Sequence, residues 1–258
     1  RRVDKYLHIK VRPRWKFNSP STNDEYFAVK GKKTVKGKLF GIGLGPGDPE
    51  LLTIKATRII ESAPVIAYPA PEIGDSFARS IASSLITKNQ LEIIIRTPMN
   101  LARFPVNEVY DKASETIKRH LNSGSDVAVL CEGDPFLYGS FSYIFFRLSS
   151  EFDINIVPGV SSVSACAAAS GRPLVLKNQT LSIVPATLAI SELRRLFLVS
   201  EGIAIMKVGR HLEKIRKVLQ ELKLEQFAYY VEYASLKGER VSPLANTVGW
   251  KAPYFSMI

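Results

Sequence analysis

The chain has 258 residues, of which 46% are hydrophobic and 23% charged, the balance of a globular protein with a sizeable core. It shows no run of 18 apolar residues and no secretory leader pattern, so we expect a cytoplasmic protein without a membrane span. The net charge of +11 is uneven, because residues 1–37 carry 11 Lys and Arg against 3 Asp and Glu. We interpret residues 1–37 as a poorly ordered basic extension or an expression remnant rather than as an arm that binds nucleic acid.

From residue 38 onward, hydrophobic strands and amphipathic helices alternate, which favours an α/β fold with a parallel sheet. In chain order we predict strands over 39–43, 65–68, 91–95, 126–131 and 154–157, with helices over 49–62, 77–85, 108–122 and 140–148 and a loop over 96–107. Past about residue 175 the pattern restarts, with strands over 181–184, 203–207 and 227–231 and helices over 190–198 and 212–222. We therefore predict two α/β domains, 38–165 and 166–258.

Gly-Asp-Pro occurs twice, at 47–49 and 133–135, each time between a predicted strand and a predicted helix. In the first copy Asp48 suits a helix N-cap, Pro49 suits the first helical position, and the nearby glycines allow a tight turn. The spacing fits neither the dinucleotide fingerprint nor the P-loop. Because a carboxylate would repel a phosphate, this loop favours a ligand without phosphate or with a positive centre.

A third strand-to-helix turn, Val-Pro-Gly-Val-Ser-Ser at 157–162, leads into a helix of small residues that ends near Ala169. The carboxyl ends of parallel strands lie at one edge of a sheet, and open α/β sheets bind ligands there. We therefore expect the three loops to lie together at one ligand-binding edge.

In order and spacing, these three loops resemble those of the tetrapyrrole (corrin/porphyrin) methylase family. Segments of the C-terminal half, at 178–183, 206–210, 230–234 and 253–257, resemble the branch that methylates precorrin-2 at C20, and the likeness covers about 38–258. The resemblance implies two α/β domains with the active site in the cleft between them, and a homodimer. It implies S-adenosylmethionine as methyl donor, with S-adenosylhomocysteine as product.

Carried over motif by motif, the resemblance implies eight cofactor-binding residues on the three loops and on two segments of the second domain. They are Pro46, Gly133, Asp134, Leu137, Ser161, Ser162, Lys207 and Ala234. Siroheme-forming members place an acidic residue just after the second strand, where this chain has Pro69. That departure puts a carried-over general base in doubt and argues against the siroheme branch.

The group that removes a proton at the methylated carbon stays open, with Tyr110, Asp111, Glu132 and Tyr138 as candidates. A precorrin carries many carboxylates, for which arginine and lysine are natural partners. Cations in or beside predicted loops are therefore candidate substrate ligands: Arg96, Arg103, Arg172, Lys177 and Arg210. The two cysteines, Cys131 and Cys166, are interpreted as buried free thiols, and no metal site is expected, since the three histidines do not cluster.

Two other interpretations remain open. The chain could be another tetrapyrrole methylase, such as the enzyme that acts on cobalt-precorrin-2, or the diphthamide methyltransferase, which acts on a protein. It could instead be a basic RNA-binding module through residues 1–37, although we expect no nucleic-acid partner. Between metal-free and cobalt-bound substrate, we favour the metal-free form, because the motif around Glu132 and the Tyr-Phe-Ser-Met ending resemble the enzyme of the oxygen-dependent pathway.

Overall fold

The computed structural model describes residues 35–97 and 106–258. In the first half, five parallel strands form one sheet in the order β3-β2-β4-β1-β5. The strands are β1 (Leu39–Gly43), β2 (Val65–Pro71), β3 (Leu91–Thr97), β4 (Val127–Cys131) and β5 (Ile154–Val157). The helices are α1 (Ile54–Ser62), α2 (Phe77–Ile81), α3 (Val106–Asn122) and α4 (Phe141–Leu148).

The sheet is buried on both faces, as expected for parallel strands that read as continuous apolar runs. One core lies between the sheet and α3 and α4, with Ile117, Leu121 and Phe141 fully buried. The other lies between the sheet and α1 and α2, and includes Ile60 and Leu130. Alternate residues of β4 face the two cores.

The second half is a mixed α/β unit. Its strands are β6 (Leu181–Pro185), β7 (Gly202–Met206), β8 (Tyr229–Glu232), β9 (Arg240–Pro243) and β10 (Ser256–Met257), and its helices are α5 (Ser162–Ser170), α6 (Ile190–Val199) and α7 (Leu212–Glu221). β6 and β7 pair in parallel, whereas β8 pairs antiparallel with β9 and β10. Reciprocal backbone hydrogen bonds between Ile205 and Ile258 join the two groups of strands.

The predicted α/β class is confirmed, but some element boundaries differ from the prediction and two strands were not predicted. The helix expected over 49–62 is interrupted, because Leu52 and Thr53 are extended and the Thr53 side chain caps a new start at Ile54 by accepting from the Ala56 amide. Of the loop expected over 96–107, the first residues belong to β3, which runs to Thr97, and the last to α3, which begins at Val106, while 98–105 lie outside the described residues. β9 and β10 were not predicted, because each is short and carries little hydrophobic alternation.

Cys131 and Cys166 are buried free thiols, as predicted, and burial raises the pKa of each to about 12. Such thiols stay protonated and unreactive at neutral pH. Within the described ranges, no helix combines the length and apolar character needed to cross a membrane.

The last residues before the expected boundary at 38 already contact the folded body. The Gly37 amide donates to the Leu121 carbonyl at 2.8 Å, and the Lys36 ammonium lies 4.7 Å above the Phe152 ring. Gly37 is buried, and a side chain there would overlap the Ser125 carbonyl. The ordered body therefore includes Lys36 and Gly37.

Shortened chains test this boundary. A chain that begins at Val35 is expected to melt at the temperature of the full chain, since both docking contacts remain. A chain that begins at Lys38 loses them, a change of about 1 kcal/mol that lowers the melting temperature by about 2–4 °C. Calorimetry of the three chains makes the comparison, and equal melting of both shortened chains would contradict it.

Candidate functional site

The first two glycine loops pair with each other at the carboxyl edge of the sheet. The Gly45 amide donates to the Gly133 carbonyl at 3.2 Å, and the Gly133 amide donates back to the Gly45 carbonyl at 2.7 Å. The Leu44 amide donates to the Cys131 carbonyl at 2.9 Å, which continues the contact between β1 and β4. The two Gly-Asp-Pro loops therefore form one backbone unit.

The third loop packs against this unit at glycine positions. A Cβ on Gly43 would overlap the backbone nitrogen of Gly159, and a Cβ on Gly159 would overlap the Gly133 carbonyl. At both positions the obstacle is rigid backbone rather than a flexible side chain. The convergence of the three loops thus depends on the absence of side chains at Gly43 and Gly159.

The Asp134 carboxylate connects the second and third loops. One oxygen accepts from the amides of Phe136 at 2.9 Å and Leu137 at 3.2 Å, and the other accepts from the Gly159 amide at 3.1 Å. Asp48, in the equivalent place of the first loop, accepts only from the Glu50 amide at 2.9 Å. The two Gly-Asp-Pro copies therefore differ: Asp48 is a local cap, whereas Asp134 holds two loops together.

Gly133 borders empty space. Its φ is +66°, a left-handed conformation that favours glycine, and no atom lies within 4 Å of the position that a Cβ would take. Pro46 follows Gly45 and is half-buried. Ser161 caps α5 by accepting from the Val163 amide at 3.1 Å, and Ser162 is the first residue of that helix.

Two contacts bring residues of the second half to this edge. Leu137 packs on an apolar cluster that includes Val163, Ala204 and Ala234. The Lys207 ammonium lies 5.2 Å above the ring of Tyr138, whose hydroxyl donates to the Ile183 carbonyl at 3.4 Å. All eight candidate cofactor residues therefore lie on segments that meet at one end of the sheet.

Strained backbone is concentrated on these segments. Tyr138, Lys207, Tyr233 and Ser235 all have φ between +54° and +64° without being glycine. A non-glycine residue keeps a left-handed backbone only where contacts with the surrounding structure hold it there. Such residues cluster at ligand sites. The Ser235 hydroxyl is in addition buried and finds no hydrogen-bond partner among the described residues.

The four candidate proton acceptors lie in different places. Tyr110 is 3% exposed in the core under α3, where burial raises the pKa of its hydroxyl to about 12. Asp111 is exposed and pairs with Arg147 at 2.7 Å on the outer side of α3 and α4. Glu132 directly precedes Gly133 at the carboxyl end of β4, and Tyr138 lies on the second loop, where it contacts Lys207 and Ile183. These two therefore lie on segments of the site, whereas Asp111 lies away from it. Tyr110 lies in the core, close enough to Glu132 for the Glu132 charge to affect its pKa.

The substrate-ligand candidates are dispersed. Arg96 donates to the carbonyls of Pro71 and Gly74, both at 2.9 Å, and lines a cavity of about 470 Å³ that Arg79 and Ser76 also line. Arg172 stacks on the Tyr229 ring at 3.8 Å beside a second cavity of about 710 Å³. Lys177 and Arg210 are exposed, and Arg103 lies outside the described residues.

Two aromatic residues of the segment 253–257 lie at the edge but were not among the candidate site residues, although that segment carries part of the family resemblance. Phe255 packs on Phe77 of α2 with ring centroids 4.6 Å apart, which places the C-terminal segment over the start of that helix. Tyr254 is 75% exposed, yet desolvation by surrounding protein and the Glu132 charge raise the pKa of its hydroxyl. As candidate site residues, Phe255 and Tyr254 had no signal in the sequence beyond being two adjacent aromatic residues, far along the chain from the glycine loops.

Within residues 35–97 and 106–258, no group of three or more His, Cys, Asp or Glu side chains is arranged to hold a metal ion. The polar groups at the edge are instead backbone amides and carbonyls, serine hydroxyls and a few carboxylates. Such a set suits an organic ligand with polar ends and an apolar middle.

Comparison with known proteins agrees with this geometry. The model of the Tetrapyrrole (Corrin/Porphyrin) Methylases matches residues 38–246. The chain is 40% identical over 232 residues to the cobalamin biosynthesis protein CobIJ of Mycobacterium bovis, covering 87% of this chain but only 46% of that protein. It is 36% identical over 230 residues to the precorrin-2 C(20)-methyltransferase of Sinorhizobium sp, covering 86% of this chain and 94% of that enzyme.

Among solved structures, uroporphyrin-III C-methyl transferase of Thermus thermophilus in complex with S-adenyl homocysteine superimposes with a TM-score of 0.61. That match is 24% identical and covers 86% of this chain and 96% of the other. Such a likeness shows the fold alone. The family match, which covers most of the described residues and all three glycine loops, goes further: the chain belongs to the tetrapyrrole (corrin/porphyrin) methylase family.

Proposed function

We propose that this protein transfers the methyl group of S-adenosylmethionine to C20 of precorrin-2, giving precorrin-3A, in cobalamin biosynthesis. The observation that carries the proposal is the joined set of three glycine loops, in a chain that aligns with nearly the whole of a precorrin-2 C(20)-methyltransferase. The chain spans about half the length of the CobIJ relative, so the proposal concerns only the part that matches.

The edge fits S-adenosylmethionine in shape and charge. The open space at Gly133 leaves a path to backbone donors and acceptors, and the Ser235 hydroxyl has no partner among the described residues. The loop side chains Asp48 and Asp134 are acidic, which suits a sulfonium and would repel a phosphate. We propose that the eight residues named from the family motifs hold this ligand, mainly through backbone atoms at Gly133, Lys207 and Ala234.

When bound, S-adenosylmethionine supplies an electrophilic methyl group and leaves as S-adenosylhomocysteine. The protein's contribution is then positioning and exclusion of water. Leu137 and Ala234 form an apolar wall, and the contacts of Tyr138 with Lys207 and Ile183 hold the two halves together over it. These contacts fix the distance between the loops of the first half and the segments of the second.

The carboxylates of the substrate require cations near the cleft. Arg96 is the candidate best placed to bind one, because its guanidinium is held by two backbone carbonyls at the rim of a polar cavity shared with Arg79. A guanidinium oriented in this way can grip a carboxylate with two hydrogen bonds. We propose the same general role for Arg103, Arg172, Lys177 and Arg210.

The test is to incubate the protein anaerobically with S-adenosylmethionine and precorrin-2 in the presence of a chelator. We expect a product heavier by one methylene unit, with the new methyl at C20 by NMR, and calorimetric cofactor binding unchanged by the chelator. A methyl at another position would overturn the substrate assignment. Competition with cobalt-precorrin-2 separates the two substrate forms, and a higher kcat/KM for the cobalt form would overturn the metal-free choice.

We further propose that the protein is a cytoplasmic homodimer. Three large apolar side chains at the end of α6 and next to β8 support association, since Leu198, Val199 and Phe227 are each at least 66% exposed. Light scattering of the purified protein should give twice the chain mass of 28.7 kDa. A single-chain mass at micromolar concentration would contradict the dimer.

A further inference from the structure

Glu132 directly precedes Gly133, whose Cβ position borders empty space, and it follows the carboxyl end of β4, the central strand of the five-stranded sheet. Side chains alternate along a strand, so Glu132 continues the face of Ala128 and Leu130, which is the face covered by α1 and α2. It is partly accessible, and it therefore can meet a ligand without any rearrangement of the core.

Four elements surround this carboxyl group. The Ala78 backbone amide of α2 lies within hydrogen-bonding reach of it. Its charge raises the pKa of Tyr110 in α3 and of Cys131 at the end of β4. The Glu132 charge also raises the pKa of the Tyr254 hydroxyl in the C-terminal segment. These neighbours are neutral at physiological pH, because the pKa of each side chain is raised.

Burial raises the pKa of Glu132 above its ordinary value, and the nearby amides of Glu132 and Ala78 offset this only in part. A partly accessible carboxyl group with a raised pKa, at the ligand-binding edge of the sheet, is suited to taking up and returning a proton. Asp134, two positions later, has both oxygens engaged by backbone amides and has no such freedom.

We propose that Glu132 is the catalytic residue that accepts the proton lost from the methylated carbon. This inference rests on the proposed function and names the acceptor for it. The substrate carbon forms a bond to the methyl group, and the electron pair of the methyl–sulfur bond stays on sulfur. The C–H bond at the same carbon then breaks, its electron pair returns to the conjugated ring system, and the proton goes to a carboxylate oxygen of Glu132 and from there to solvent.

The Glu132→Gln variant tests the assignment, because it keeps the shape and removes the proton acceptor. We expect kcat to fall on the order of 100-fold, with the Kd for S-adenosylmethionine unchanged by calorimetry. The wild-type kcat should fall as pH drops through the raised pKa of Glu132, and this acid limb should be absent from Glu132→Gln. Glu132→Asp keeps a carboxylate and should retain the limb with intermediate activity.

Stability separates catalysis from a structural role. A raised pKa in the folded state means that the ionised carboxylate destabilises the fold once pH rises through that pKa. At pH 8, Glu132→Gln should therefore melt at or above the wild-type temperature, and the difference should disappear as pH falls through and below the ordinary glutamate pKa of about 4.3, where the side chain becomes protonated in both states. Glu151→Gln, at an exposed pair with Lys118, is the control and should leave kcat unchanged.

An unchanged kcat in Glu132→Gln would overturn the proposal, as would a melting temperature that falls together with activity. These outcomes are distinct from failure of the proposed function, in which the wild-type protein itself fails to methylate precorrin-2 at C20. If the wild-type protein methylates a different tetrapyrrole, the same variants on that substrate still decide the role of Glu132.

Discussion

Gly43→Ala is expected to abolish measurable binding of S-adenosylmethionine. The added Cβ would overlap the Gly159 backbone nitrogen and lie against the Gly133 carbonyl, so two loops would have to move apart. Neither obstacle is a side chain that could rotate away. Overpacking of this kind typically destabilises by about 1–3 kcal/mol, and the displaced loops are the ones that form the proposed cofactor site.

The measurement is isothermal calorimetry of cofactor binding, beside urea denaturation of the free protein. Gly171→Ala is the matched control, because Gly171 ends α5 at a φ of +62° with no atom within 4 Å of its Cβ position. That variant should lose about 1–2 kcal/mol of stability from its left-handed backbone and keep its affinity. Wild-type affinity in Gly43→Ala would show that the loops do not form the binding site.

The convergence of the three loops could be predicted from the sequence, because it follows from a general rule. Each Gly-rich turn follows a buried strand, and parallel strands end at one sheet edge. The number of strands in the first half and their parallel arrangement were predictable for the same reason. What the pattern could not show was which glycines are obligatory: Gly43 and Gly159 face backbone from loops that are distant in the sequence.

The remaining differences arise where tertiary contacts or local capping override the pattern. The periodicity from 49 to 62 is helical throughout, but Thr53 caps a new start and divides the segment. The pairing of β10 with β8 holds the C-terminal segment in place, and with it Tyr254 near Glu132. A strand of only two residues leaves no periodic signal in the sequence. Tyr110 and Asp111 are adjacent in sequence, yet their helix directs one into the core and the other to solvent. A helical period alone does not show which face meets a ligand.

The two Gly-Asp-Pro copies give the second large prediction. Asp134→Ala removes the acceptor of three backbone amides, those of Phe136, Leu137 and Gly159, and frees the second loop from the third. Hydrogen bonds to a charged group contribute about 1.5–3 kcal/mol each to stability. Because water can bond the freed amides in the variant, we expect the total loss to be smaller than the sum, about 2–4 kcal/mol. Asp48→Ala removes one cap and should lose about 1 kcal/mol.

Affinity should follow the same order, because Asp134 positions the loops at Gly133 and Gly159 whereas Asp48 only begins a short helical turn. We expect Asp134→Ala to weaken S-adenosylmethionine binding at least 10-fold and Asp48→Ala to change it by less than 3-fold, the first corresponding to about 1.4 kcal/mol. Calorimetry at a temperature where both variants are fully folded makes the comparison independent of their stabilities. Asp134→Asn keeps one oxygen for Phe136 and Leu137 but offers an amide group toward Gly159, so its affinity should lie between those of wild type and Asp134→Ala. Equal affinities in Asp134→Ala and Asp48→Ala would mean that the bond between the second and third loops does not shape the site.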